Sequence, residues 1–204
     1  MGNKDKQMTE LVDKNFFVQL NEQDPTEVCR RALCTHDEAA GTYAVTVWGN
    51  QYAVDPEKAK VFCLDPVHEP LHPYFDLFAV HYLLGARETQ PARQWISEKD
   101  IAGGVTFFRG PHEIPAHMIA SRFDADITGF KNRCEQYGGT VLGLADAAFV
   151  FSITPRIPVA VLYWQGDDEF PTEVKLLFDK TIDRHLASDI IYALAVGVCD
   201  RLAR

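Results

Sequence analysis

The sequence is short of cysteine, of basic charge and of long apolar runs. Its five cysteines, Cys29, Cys34, Cys63, Cys134 and Cys199, are odd in number and include no C-x-x-C pair. That speaks against a disulfide framework, and against a complete cysteine-ligated zinc site or an intrinsic iron–sulfur cluster. Lys and Arg number 20 against 29 Asp and Glu, a formal charge of −9. A general nucleic-acid binder or a polybasic membrane anchor needs the opposite sign. The longest uncharged apolar run, Ile190 to Cys199, is about half of what a bilayer crossing takes. The first residues, Met1 to Gln7, carry charge with no apolar signal core behind them. No G-x-x-x-x-G-K-[ST], G-x-G-x-x-G or G-x-S-x-G occurs, so the standard nucleotide cradles and the nucleophile elbow are absent. These absences predict a reduced, cytoplasmic protein with neither nucleic acid nor membrane as partner.

What is present is an ordinary globular content: 47% of the 204 residues are hydrophobic, which excludes disorder. The length fits a single domain over 1–204, with 1–23 as a helical N-terminal extension and 24–204 as the core. Met8, Leu11, Val12, Phe16 and Leu20 recur at helical spacing and predict a helix over 7–20. Asp24-Pro25-Thr26-Glu27 reads as the start of a second helix, with Asp24 as cap and Glu27 completing a capping-box-like arrangement. Residues 42–48 alternate as a strand; Gly49-Asn50 turns the chain into Gln51–Val54. Pro66, Pro70 and Pro73 make an irregular connection.

Residues 74–85 predict a helix with Phe75, Phe78, Ala79 and Tyr82 on one face and Gly85 as its C-cap. Residues 92–110 look like loop. Ile127, Phe130, Cys134 and Tyr137 mark another helix, stopped by Gly138-Gly139. Ala148–Ile153, Val159–Trp164 and Glu173–Phe178 are three β-rich runs joined by turns too short for parallel crossovers. The last helix, about 187–202, is apolar on most sides and belongs between layers or at a subunit contact, where it could serve as a homodimer seam. The predicted fold class is α+β: an antiparallel sheet packed against several helices in a single compact domain.

Seven histidines invite a metal reading. His68 and His72 have helical spacing, but Pro70 and Pro73 interrupt it; His112 and His117 flank Pro115. Solvent-facing loop histidines are the plainer reading. His81 could be an axial ligand to a haem or corrinoid metal, or a core-edge residue hydrogen-bonded to a neighbour. The turn Asp167-Asp168-Glu169 could hold a divalent cation through its carboxylates, or simply be a turn that favours Gly and Asp. Asp179, Asp183, His185 and Asp189 form a second polar cluster, where Ser188 or Asp189 could be an ordinary N-cap. Arg109, beside Phe107 and Phe108, could hold a ligand carboxylate or phosphate, or pair with the acidic turn.

Several blocks carry a family resemblance: His81-Tyr-Leu-Leu, Trp95 with Gly103-Gly104, Tyr137-Gly-Gly, Pro155-Arg-Ile-Pro, Trp164-Gln-Gly-Asp-Asp-Glu-Phe-Pro, Leu177-Phe-Asp and His185-Leu. Over about residues 15–204 the chain resembles the family catalogued as domain of unknown function 3786. The block Trp164 to Pro171 followed by Leu177-Phe178-Asp179 is its most specific part. The resemblance implies a protein of anaerobic bacteria or archaea. Some members look like fusions to a small cysteine-rich iron–sulfur domain of the kind found in the corrinoid protein of acetyl-CoA synthesis. By that analogy it implies a link to corrinoid or one-carbon metabolism, with a corrinoid or iron–sulfur protein as partner.

Three functions compete. The first is a non-enzymatic ligand- or partner-binding accessory module, taking a corrinoid, another tetrapyrrole or a protein that carries one, with His81, Trp95, Phe107, Arg109 and Trp164 as its candidates. The second is a divalent-metal-dependent enzyme using Asp167, Asp168 and Glu169, with Asp179 or His185 as general base. The third is a purely structural interaction protein. The sequence favours the first over the third, and the second comes last.

Overall fold

Asp13 and Asp24 each open a helix by accepting a hydrogen bond from the backbone N–H two residues on, at 2.9 and 3.0 Å. The computed structural model describes residues 11–65 and 70–204. Met8, Pro66 and His68 lie outside them. With Asp13 as its cap, α1 (Lys14–Asn21) begins well inside the span 7–20 that the apolar spacing predicts. Phe17 and Leu20 are buried in the same core cluster as the rest of the chain, and α1 packs against α3. α2 (Pro25–Ala32) has Pro25 in its first turn, where a missing donor costs nothing. Glu27 closes no capping box; it pairs with Arg30 at 2.7 Å instead.

A first antiparallel sheet has the order β1 (Thr35–Asp37), β2 (Thr42–Val47), β3 (Asn50–Asp55), β4 (Lys60–Cys63). Val47 pairs with Asn50, so the β2–β3 turn is Trp48-Gly49, one residue earlier than Gly49-Asn50. Both turn residues have positive φ, 45° and 79°, as a two-residue hairpin turn of the primed type requires. Trp48 accepts this strain because its indole is held on every side. The Arg201 guanidinium carbon lies 5.0 Å from its ring, Phe151 lies 5.0 Å away, and its Nε1–H donates to the Tyr137 carbonyl at 3.0 Å.

α3 (Tyr74–Gly85) buries Phe75, Phe78, Ala79 and Tyr82 as its spacing predicts. Gly85 is its last residue rather than its cap, and is required for closeness: a Cβ there would meet the His185 carbonyl oxygen at 2.5 Å. The stretch 92–110 is not all loop. It holds β5 (Trp95–Ile96) and α4 (Gly104–Phe107), followed by a 3-10 turn over Gly110–His112. α5 (His117–Arg122) and α6 (Ile127–Gln136) follow, and Gly138 at φ 73° ends α6 as predicted.

The second antiparallel sheet runs in the order β5-β9-β8-β7-β6, with β6 (Thr140–Val141), β7 (Ala147–Thr154), β8 (Ile157–Trp164) and β9 (Glu173–Asp179). The fold class is therefore α+β, with two antiparallel sheets where the sequence predicts one. α7 (Ser188–Ala203) has Ala187 at its cap position, so neither Ser188 nor Asp189 caps it. It packs against α3 and α5, and Gly197 lets Phe75 approach to where a Cβ would stand 2.6 Å from its ring. Its apolar surface is thus occupied within the chain. None of the described helices is long and apolar enough to cross a membrane.

Candidate functional site

Alternating side chains along β7, β8 and β9, with one register shift between Ser152 and Thr154, give the second sheet two different faces. Phe149, Phe151, Ile153, Val159, Val161, Tyr163, Val174, Leu176 and Phe178 enter the main core, where the helices pack. The intervening residues form a separate apolar cluster on the other face. Ala148, Ala160 and Leu162 are buried at its centre, ringed by the half-buried Trp95, Leu142, Val150, Trp164 and Leu177. All of these come from strands or from Leu142 just after β6; none belongs to a helix. The register explains the grouping: Val150 lies opposite Ala160 and Ala160 opposite Leu177, so one small residue sits between larger neighbours. Lys175 covers the Trp164 end, its ammonium 5.5 Å from the indole, a cation–π contact.

At the Trp95 end the face opens into a cleft of about 690 Å³. It crosses the sheet from Trp95 on one edge strand to Val141 on the other. Pro91, Leu142, Val150, Pro155 and Pro158 line its apolar part; Gln90, Arg93, Thr140 and Ser152 supply the polar groups. A concave, mostly apolar site of a few hundred cubic ångströms with few polar groups is the usual form of a binding site.

One wall of the cleft is the segment 87–94, held by three buried polar side chains. Asp179 accepts from the backbone N–H groups of Ala92 at 3.0 Å and Arg93 at 2.6 Å, and from the Thr181 hydroxyl at 2.7 Å. Burial pushes its carboxyl up, but the bonds from Thr181, Ala92 and Arg93 outweigh this and leave it below its ordinary value. His185 accepts through Nδ1 from the Arg87 N–H at 3.2 Å, which leaves Nε2 as the protonated nitrogen. Burial, then the neighbouring Arg156 cation, lower its pKa to about 4. Arg156 donates through Nη1 to the Thr89 carbonyl at 3.3 Å, and through Nε and Nη2 to the carbonyls of Arg31 and Arg30 at 2.5 and 3.4 Å. The predicted pair Asp179 and His185 thus acts on one segment, each accepting from its backbone. Sequence reading missed Arg156, although its place between two prolines in a β-turn was visible.

The other candidates lie apart. His81 packs its ring 4.2 Å from Phe16 of α1, and burial holds its imidazole below the ordinary value. Phe107 stacks on His112 with ring centroids 4.6 Å apart. The exposed Arg109 lines a different cleft of about 640 Å³ with Lys99, Phe108, His117 and Lys175. Only Trp95 and Trp164 share a face. In the acidic turn, Asp167 spends one carboxylate oxygen on the N–H groups of Glu169 and Phe170, both at 2.8 Å, while Asp168 and Glu169 are exposed. Among the described residues no group of three or more His, Cys, Asp or Glu side chains is placed to hold a metal ion. A residue the sequence did not single out is Asp76, in the first turn of α3, whose carboxyl burial raises to about 7.

The fold and the cleft define a mixed α+β protein with a second apolar cluster on the outer face of its second sheet. The chain belongs to the family described as a domain of unknown function (DUF3786), which it matches over residues 24–201. No curated protein and no solved structure matches it significantly.

Proposed function

We propose that this protein is a non-enzymatic binding module that takes a short apolar polypeptide segment, carrying a carboxylate, across the outer face of its second sheet. The observation behind the reading is the cleft beside Trp95, on a sheet face to which no described helix contributes a packing residue. Trp95, Leu142 and Val150 offer an apolar floor, and the exposed Arg93 at the rim suits an acidic group. An aromatic anchor with apolar neighbours and a cation is the usual composition of a binding hot spot. This geometry favours a peptide over a corrinoid or other tetrapyrrole, because His81 packs on Phe16 and Arg109 lines a different cleft from Trp95. It favours binding over metal-dependent hydrolysis, because Asp167 is engaged by its own turn.

The test is selection from a phage-displayed random dodecapeptide library on the immobilised chain, followed by titration of the selected synthetic peptides. Enrichment of apolar peptides with an acidic residue, bound about tenfold more weakly by Trp95→Ala, is the expected result. No enrichment, or binding unchanged in Trp95→Ala, sinks the reading.

A further inference from the structure

Cys29 and Cys34 form a thiol pair outside the cleft. The reason they meet is local. α2 ends with Leu33 in the left-handed region at φ 55°, and the Cys34 N–H donates back to the Cys29 carbonyl at 3.3 Å. The Leu33 N–H reaches the same carbonyl, a left-handed helix end that shares with the Schellman motif the contact between side chains just beyond the helix and in its last turn, ordinarily an apolar one. Here both positions are cysteine, and the sulfurs lie 3.8 Å apart. Both residues are half-buried, so a small oxidant can reach them. Closing the pair to a disulfide bond of ~2.05 Å asks for a sulfur movement under ~2 Å. The enclosed loop is short, so the bond would add little stability, which suits a reversible link better than a permanent staple.

We propose that Cys29 and Cys34 are a redox modification site that closes to an intramolecular disulfide by exchange with a low-molecular-weight disulfide. Burial, then the neighbouring Cys29, raise the Cys34 thiol above the ordinary thiol range. The chemistry is the same whichever sulfur opens the exchange; Cys29 is taken as the attacker. Its thiolate bonds to one sulfur of the oxidant, whose S–S bond breaks; the departing thiolate takes up a proton. Cys34 then loses its proton and attacks Cys29 in the mixed disulfide, expelling the second small thiol. The two protein thiols are oxidised by two electrons, and one small disulfide is reduced to two thiols. Arg31, whose charge favours the Cys34 thiolate, stands beside the pair and binds the carbonyls of Leu84 and Ala86 at the end of α3. The link would therefore fasten the end of α2 where α3 is held.

The experiment treats the reduced full chain with oxidised glutathione, quenches with acid, and reads intact mass and tryptic peptides. Arg30 and Arg31 lie between the cysteines, so trypsin separates the two thiols unless they are bonded. The expected result is loss of two hydrogens with the Cys29 and Cys34 peptides joined. Cys34→Ser should stop with glutathione on Cys29. A fully reduced chain, a stable glutathione adduct on the wild type, or Cys63 joined to either residue overturns the proposal. Phenylarsine oxide on the unmodified chain provides a second reading that does not depend on a variant folding: one arsenical should shield both thiols from alkylation, and alkylation of both in its presence counts against the pair. Neither test depends on the peptide cleft.

Discussion

The backbone N–H of Arg93 donates to the Asp179 carboxylate at 2.6 Å from a residue whose φ is 55°. One buried acid thus fixes the left-handed bend that places the cleft's cation at its rim. In Asp179→Asn an amide NH₂ must face one of the N–H donors that the carboxylate now satisfies. We expect a loss of ~2–3 kcal/mol in chemical denaturation, with weaker binding of any selected peptide. The acid's folded pKa is depressed, so its contribution is present above the ordinary carboxylate value near ~4 and is lost as pH falls through the lower folded value. An unchanged denaturation midpoint in Asp179→Asn would show that the bend holds itself.

His185 tilts stability over a higher window. Its folded pKa of about 4 lies below the ordinary value of 6.5, so between these the unfolded chain binds the extra proton. Stability should fall as pH drops from ~6.5 toward ~4, by roughly 3 kcal/mol at most. His185→Asn keeps an acceptor for the Arg87 N–H and should flatten that limb. Denaturation midpoints measured across this range, identical in slope for both proteins, would rule the effect out.

Asp76 works against it. Burial raises its folded pKa to about 7 from 3.8, so the folded state holds the proton longer than the unfolded one. Its favourable contribution is complete below ~4 and is lost as pH rises through ~7. Asp76→Asn should therefore be more stable than the parent at pH 8, by ~2–3 kcal/mol, and equal to it at pH 4. The two groups oppose each other between pH 4 and 7, so the parent can show a nearly flat profile that the single variants split. Equal stability of Asp76→Asn and the parent at pH 8 would refute the shift.

The long strands were legible as short runs rich in β-branched and aromatic residues, and the alternation of their side chains in the sheet places Trp164 with Ala148 and Ala160 on the outer face. β1, β4, β5 and β6 have two to four residues, too few for a period to show, and without them two sheets read as one. The Trp48-Gly49 turn was hidden because tryptophan carries no signal for positive φ; the ring contacts that hold it come from residues up to Arg201. The hold of His185 on Arg87 spans 98 residues, beyond any local pattern. The thiol pair was missed for a local reason: Leu33 stands where a glycine would have announced the left-handed helix end. His81, Phe107 and Arg109 were grouped by chemistry alone, and nothing in their spacing could show that they face different neighbours.

Both outermost strands of the second sheet, β5 and β6, are only two residues long. An apolar sheet face is ordinarily a hazard, because a long free edge beside it lets copies add strand upon strand into fibrils. Here each of the two edge strands offers a neighbour only two residues of ladder. Beyond β5, the strand β9 carries Glu173 and Lys175 on the outer face as an ion pair at 2.9 Å, and charge beside a sheet edge disfavours the addition of a further strand.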